Sequence, residues 1–276
     1  MTLAPRQIES ASFDELLDIL RVRRGGVYFV HSNWDRMEFF GLSYQQVIET
    51  LQGRIGKDGL LCFPTYPWIY KYHPVPLEIP YEPETPFSTS GTPSRMGLLT
   101  EIFRRFPDVH RGANPWVPVA AWGQDAEKLV EGVHFCSELY GAGSCFGRLI
   151  ERDVQVLGLG VSVGTSSFSH YPDWLMREKV SFSSFETLPV ASVELTDGTV
   201  QEGLRFEIVP EHVQKVFSPK TLFERDRELQ EALTFVSLEG NFFFSHSAAA
   251  FTDAALREYK QLNEAVDYPC WFTEKF

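Results

Sequence analysis

The stretch from Val27 to Phe63 constrains the fold more than any other. Val27-Tyr28-Phe29-Val30-His31 is a continuous apolar run entered from Arg23-Arg24-Gly25-Gly26. A short apolar run bounded by turn residues predicts a buried strand. A polar loop, Ser32-Asn33-Trp34-Asp35-Arg36, follows it. Ser43-Tyr44-Gln45-Gln46 has the spacing of a capping box and opens a helix to about Gly56, with Val47, Ile48 and Leu51 on its apolar face. Lys57-Asp58-Gly59 then turns into Leu60-Leu61-Cys62-Phe63, a second buried strand. Strand, helix, strand in that order is a βαβ unit, so parallel pairing and an α/β lobe are expected. Ligands of such sheets sit beyond the carboxyl ends of the strands, where His31 to Arg36 and Pro64 to Trp68 lie.

The remaining chain fits an α/β lobe with an addition. Ser12-Phe13-Asp14-Glu15 is another capping box, opening a helix through about Arg21. Val117 to Trp122 reads as a strand and Asp125 to Glu131 as a short helix. The Gly-rich run Tyr140 to Gly147 precedes a helix at Arg148 to Arg152. Val154 to Gly160 is a third buried strand. Gly158, Gly160 and Gly164 lack the spacing of a dinucleotide fingerprint, so NAD is not expected. From about Val180 the pattern alternates. Val190 to Leu195 and Val200 to Val209 flank Thr196-Asp197-Gly198-Thr199, a hairpin signal. Ser247 to Tyr259 returns to helix. The expected fold class is therefore α/β, a largely parallel-sheet α/β lobe (1–179) with a smaller β-rich second lobe (180–246), and a C-terminal helix and tail (247–276) returning to the first.

Composition narrows the function classes. The 276 residues carry a net charge of −12, which argues against a general nucleic-acid or anionic-membrane binder. A small anionic ligand held by a local basic patch stays open. Cys62, Cys136, Cys145 and Cys270 form no C-x-x-C pair, so no zinc site or other metal is expected. Cys62 lies in an apolar run and reads as an inert buried thiol. No signal peptide and no run of membrane-spanning length stands out, so a cytoplasmic protein is expected.

Two stretches invite a ligand. In Thr92-Pro93-Ser94-Arg95-Met96-Gly97, Thr92 suits a helix N-cap and Pro93 the first helical position. Met96, Leu99, Phe103 and Phe106, widened by Leu98 and Ile102, follow at helical spacing. A helix start bearing Ser94 and Arg95 suits an anion; a capped structural helix with a solvated arginine fits the same spacing. Residues 64 to 91 concentrate proline, with Trp68, Tyr70, Tyr72 and Tyr81 interleaved. Such a loop is often functional, its aromatics either stacking on a flat ring or pinning the loop to the surface.

The Thr92 to Gly97 run resembles the signature of the aminoglycoside 3-N-acetyltransferase family. Other matches keep the family's order. Val30-His31-Ser32 resembles V-H-S-S, and Phe63-Pro64-Thr65-Tyr66 resembles M-P-T-F. Phe87 to Ser94 resembles F-D-P-x-x-T-P-S, and Val119 to Gly123 resembles S-V-A-A-x-G. Ser144 to Leu149 resembles S-P-Y-G-R-L, and Val156 to Val161 the L-L-L-G-V strand. The resemblance implies transfer of an acyl group from acyl-coenzyme A (acyl-CoA) to an amine. It groups His31, Ser32, Asn33, Thr92, Ser94 and Arg95 on the donor, with the Ser32 and Asn33 amides facing the thioester.

Departures from the family pattern bear on the acceptor. H-P-x-H-S is here Asn114-Pro115-Trp116-Val117-Pro118, without either histidine, and Phe-Asp is Phe87-Ser88. T-S-x-H-x-x-E appears as Ser166-Ser167-Phe168-Ser169-His170-Tyr171-Pro172-Asp173; aligned without gaps its histidine becomes Ser169 and its glutamate Pro172, whereas one inserted residue restores His170 and Asp173. With the inserted residue His170 is expected as proton acceptor with Asp173 to orient it, and Asn114 as a donor to the oxyanion; a packed His170 and a turn at Asn114 before proline fit the same residues. Trp34, Tyr66, Trp68, Trp116 and Ser166 are expected against the acceptor. The Ser167 to Trp174 phrasing, with Trp116 after Pro115, resembles a branch that acylates nucleotide-linked amino sugars for cell-surface polysaccharides. That acceptor is the first expectation. An aminoglycoside and a non-catalytic CoA-binding homologue are the alternatives.

Overall fold

The structure is a computed structural model, and it describes residues 3–67, 86–177, 186–208 and 219–264. In chain order the elements are β1 (Arg6–Ile8), α1 (Phe13–Ile19), β2 (Val27–Ser32), α2 (Tyr44–Ile55), β3 (Leu60–Pro64), β4 (Phe87–Ser88), α3 (Leu98–Phe103), β5 (His110–Arg111), β6 (Val119–Gly123), α4 (Ala126–Val130) and α5 (Cys145–Ile150). They continue with β7 (Gln155–Leu159), α6 (His170–Leu175), β8 (Glu186–Thr187), β9 (Ala191–Glu194), β10 (Val200–Leu204), β11 (Glu207–Ile208), α7 (Pro219–Arg225), α8 (Arg227–Ala232), β12 (Thr234–Leu238), β13 (Asn241–Ser247) and α9 (Ala248–Glu264).

An eight-stranded sheet in the order β1-β12-β13-β7-β2-β3-β6-β5 organises the molecule. Its central strands β7, β2 and β3 run parallel, as the βαβ pattern requires. On either flank the ladder turns antiparallel, at β13 and at β6, so the sheet is mixed and its parallel pairing is confined to the centre and the β1–β12 edge.

Side-chain alternation along these strands feeds two cores. Phe29, Cys62, Val156 and Phe244 face one layer with Phe146, Phe251 and Ala254 of α5 and α9. Val30, Leu61, Phe63 and Leu157 face the other with Leu16, Val47, Ile48 and Phe103 of α1, α2 and α3. This is the period of two expected of a sheet covered on both faces. Gly158 is required opposite Phe244 of the neighbouring strand β13, because a Cβ there would stand 2.0 Å from the Phe244 ring. Burial pushes the Cys62 thiol well up, as an inert core thiol requires.

The capping boxes at Ser12 and Ser43 both form. The hairpin forms as well: β9 and β10 pair antiparallel, and Gly198 takes φ +82° in the turn. Three expectations change. The β-rich addition does not run to 246, because β12 and β13 are strands of the large sheet. What remains apart is β10-β9-β4 and the two-stranded β11-β8, and β4 ties the former back to the first lobe. Thr92-Pro93 does not start a helix: α3 begins at Leu98 after Gly97 at φ +109°. Leu98 is accordingly 51% exposed and lies off the apolar face. Among the described residues no helix is long and apolar enough to cross a membrane.

Candidate functional site

Residues 88 to 97 form a loop held by its own polar groups. The Ser88 amide donates to Thr92 Oγ1 (2.9 Å) and the Thr92 amide donates to the Ser88 carbonyl (3.0 Å). Thr92's hydroxyl is thus spent inside a tight turn rather than on a helix end. The Arg95 amide donates to the Tyr66 carbonyl (2.8 Å), which sets the loop beside the exit of β3. Ser94 is buried; its amide donates to Glu101 Oε2 (2.6 Å) and its hydroxyl pairs with Thr100 Oγ1 (2.7 Å). The anion expected at the Ser94 amide is therefore already present as a carboxylate of this chain. Burial pushes Glu101 up, but Arg104, the Ser94 amide and Arg105 together hold its carboxyl below the usual range. Arg95, the one cationic side chain of the Thr92 to Gly97 run, is exposed.

Arg111 anchors this loop from beneath. It is buried, and its Nε donates to Thr65 Oγ1 (3.0 Å) and its Nη2 to the Thr65 carbonyl (2.6 Å). Its Nη1 donates to the carbonyls of Thr89 and Thr92. The guanidinium carbon lies 4.8 Å from the Phe87 ring centroid. Sequence reading missed Arg111, because its partners lie far away in the chain.

The second group gathers at the exits of β2 and β3, under the short helix α6. His31 is buried, and its Nε2 accepts the Ser167 amide (3.3 Å). Burial, then the nearby His246, push His31 down to about 3, so its ring is neutral and Nδ1 carries the proton. Tyr66 is buried and its hydroxyl donates to Ser167 Oγ (3.0 Å), so Ser167 is shared between two expected site residues. The His170 ring lies 4.6 Å from that of Tyr140, and its Nδ1 is 3.7 Å from Asp173 Oδ2. That separation is longer than a hydrogen bond. Asp173 is fixed from its other oxygen, where Tyr259 of α9 donates at 2.6 Å. Ser166 Oγ and His170 Nδ1 are buried without a hydrogen-bond partner among the described residues. Ser167, Tyr140 and Tyr259 are thus additions to the expected set.

Other expected residues are placed elsewhere or otherwise engaged. The Asn33 amide donates to the Leu159 carbonyl (2.9 Å), so it serves the sheet and not a thioester oxygen. Ser32 closes β2 and is partly exposed beside it. Asn114 accepts the amides of Trp116 and Val117 on Oδ1, both at 2.9 Å, which is the Asx-type turn its place before proline favours. Trp116 is buried in the same core layer as Tyr66. Trp34 packs on the opposite layer, its ring stacked on Tyr44 with centroids 3.7 Å apart, so that face is not open to an acceptor. Trp68, with Tyr70, Tyr72 and Tyr81 of the aromatic loop, and Cys270 lie outside the described residues. A cavity of about 720 Å³ opens at the sheet edge between Thr89, His110, His134 and Asp197, away from the His170 group.

Comparisons with known proteins bear on this geometry. The family described as aminoglycoside 3-N-acetyltransferase matches residues 29–257. The chain is 27% identical over 184 residues to the SPbeta prophage-derived aminoglycoside N(3')-acetyltransferase-like protein YokD of Bacillus subtilis (strain 168), covering 63% of this chain and 66% of that protein. It is 28% identical over 158 residues to aminoglycoside N(3)-acetyltransferase IV of Salmonella sp, covering 57% and 56%. These matches span under two thirds of each relative's length. The fold is similar to the crystal structure of YokD, with TM-score 0.70 at 20% identity over 94% of both chains. It is also similar to an AAC-IIIb binary complex with CoASH, with TM-score 0.68 at 19% identity over 92% of this chain and 97% of that one. A third similar structure is sisomicin-bound AAC-VIa, with TM-score 0.70 at 18% identity over 93% of this chain and 98% of that one.

Proposed function

We propose that this chain, which belongs to the aminoglycoside 3-N-acetyltransferase family, transfers an acyl group from acyl-CoA to the amine of an amino sugar. The observation that carries the reading is the meeting of two groups at the exits of β2 and β3. The Thr92–Gly97 loop, bonded to Tyr66 through Arg95, offers the donor side. Tyr66, Ser167 and His170 offer the acceptor side, and His31, expected on the donor, is bonded to the Ser167 amide between them.

The amine attacks the thioester carbonyl carbon, the new N–C bond forms, and the C–S bond breaks with thiolate leaving. A thiol of pKa about 8.5 is a fair leaving group. An amine that titrates near 7.7–8.0 is about one tenth free base at neutral pH. A general base adds about 10²–10⁴ in rate, and orientation up to about 7–11 kcal/mol, so loss of the family histidines slows the reaction without abolishing it. In this reading His170 takes the ammonium proton while Asp173, held by Tyr259, faces the resulting cation. His31, neutral and bonded to the Ser167 amide, positions Ser167 instead of moving protons. Asn114 Oδ1 is committed to its own turn, so Asn114 shapes the wall beside Trp116.

The acceptor supported best is an aminoglycoside. The relatives carry that name, and a chain of net charge −12 attracts a polycation. A nucleotide-linked amino sugar, the first expectation from sequence, is the second reading. The observation favouring it is Asn114-Pro115-Trp116-Val117-Pro118, where the family's two histidines are replaced. The test supplies acetyl-CoA with gentamicin-type drugs and with nucleotide-linked amino deoxysugars and follows free thiol and product mass. A mass increase of one acetyl group on the aminoglycoside supports the first reading; the same increase on the nucleotide sugar alone replaces it with the second. CoA binding without thiol release from any amine would identify a non-catalytic homologue.

A further inference from the structure

We propose that Arg111 is the positioning residue of the donor half-site, holding the Thr92–Gly97 loop against the exit of β3 and lending it a positive charge that favours an anionic donor. The proposal rests on the acyl-CoA reading above. Arg111 closes the edge strand β5, and the register places it across β6 from Phe63, two residues before Thr65. From there one planar side chain reaches both oxygens of Thr65 and the carbonyls at both ends of the 89–92 turn. A guanidinium has the forked set of donors for this; an ammonium or an amide has fewer, in another geometry.

The charge itself needs a reason. Among the described residues, every hydrogen-bond acceptor of Arg111 is a carbonyl or a hydroxyl, and none is a carboxylate. Glu101, the acidic group that favours its charge, is itself bonded to Arg104 and to the Ser94 amide. Arg104 adds a second positive charge that opposes it. Burying a cation on neutral partners is expensive, whereas a neutral donor there would not incur that penalty. Solvent and salt screen such a buried charge little. Its field therefore reaches the loop it holds, where Ser94 and exposed Arg95 follow the bonded Thr92 carbonyl within three residues.

Calorimetric titration of the full chain with CoA and with pantetheine, which has the same thiol arm and no phosphate, separates positioning from charge. The wild type is expected to prefer CoA. In Arg111→Gln the affinity for CoA falls by about 10-fold or more, while that for pantetheine falls by roughly 3-fold or less, so the preference shrinks. In Arg111→Lys, which keeps the charge and loses the fork, both affinities fall together and the preference stays. Arg111→Lys carries the test if Arg111→Gln does not fold. Equal losses for the two ligands in Arg111→Gln, a lost preference in Arg111→Lys, or unchanged affinities would overturn the proposal. A wild type that binds neither ligand overturns the donor reading itself, before any variant is compared.

Discussion

Around Thr92 to Gly97 the polar groups are bonded to one another: Thr92 to Ser88, Ser94 to Glu101 and Thr100, and the turn carbonyls to Arg111. Around His170 more polar atoms are left over. Ser166 Oγ and His170 Nδ1 are buried without a hydrogen-bond partner among the described residues, and His170 stands at a contact distance from Asp173. Thr89 Oγ1, in the turn before Thr92, is also buried without a partner among the described residues, so the contrast is one of degree: the first region is the more fully bonded frame, and the second holds more capacity in reserve. Unmet hydrogen-bonding groups lower stability where they stand, and a substrate that supplies the partner recovers that loss on binding. The difference fits a reaction in which one substrate meets a rigid cradle and the other completes the bonding of its site.

Variants sharpen this contrast, beginning with the largest effect. His170→Ala is expected to lower kcat by about 10²–10⁴ with little change in donor KM or in Tm. Steady-state kinetics and thermal melts read it, and an unchanged kcat removes His170 from proton transfer.

Acid acts on the histidine side. Burial first, with His246 adding to it for His31, pushes His31 down to about 3, and burial pushes His246 down to about 4. In the unfolded chain both titrate near 6.5, so between those values the unfolded state binds more protons. Stability is intact above about pH 6.5 and falls as pH drops towards 4, by up to about 1.4 kcal/mol per pH unit for each histidine. Urea midpoints at pH 7.5 and pH 5 measure this. Equal midpoints, or a His246→Gln variant with an undiminished slope, would contradict it.

Glu101→Gln tests the frame. It weakens the hold on the Ser94 amide and on Arg104 and is expected to cost roughly 1–3 kcal/mol and to raise donor KM more than acceptor KM. If acceptor KM moves more, the two regions have been assigned the wrong way round. Trp34→Leu, on the far face of the sheet, gives the smallest effect. Losing the stack on Tyr44 should reduce stability by about 0.5–1.5 kcal/mol while acceptor KM stays put; a rise in acceptor KM would restore Trp34 to the site.

Local sequence reading succeeds where the physics is local. The capping boxes at Ser12 and Ser43 and the Asp197-Gly198 turn are each settled within a few residues, and the central βαβ unit follows from continuous apolar runs. Thr92 is misread for an instructive reason. Its hydroxyl suits a helix end as well as the turn it occupies, and what decides between them is Ser88 before it and Arg111 beneath it. The strands β12 and β13 fall in the stretch read as β-rich, but which sheet receives them depends on pairing with β7 and β1 far away in sequence. In the site, the spacing of His170 and Asp173 is visible because it spans one helical turn. Tyr259 on Asp173 and Arg111 on Thr65 are invisible, because those contacts cross 86 and 46 residues of chain.

The division into donor and acceptor halves is tested most directly by paired KM measurements on Glu101→Gln and His170→Ala with acetyl-CoA and a gentamicin-type aminoglycoside. The expected result is a donor KM that rises in the first variant with kcat largely kept, and a kcat that falls in the second with donor KM kept. The same pattern of loss in both variants would contradict the division.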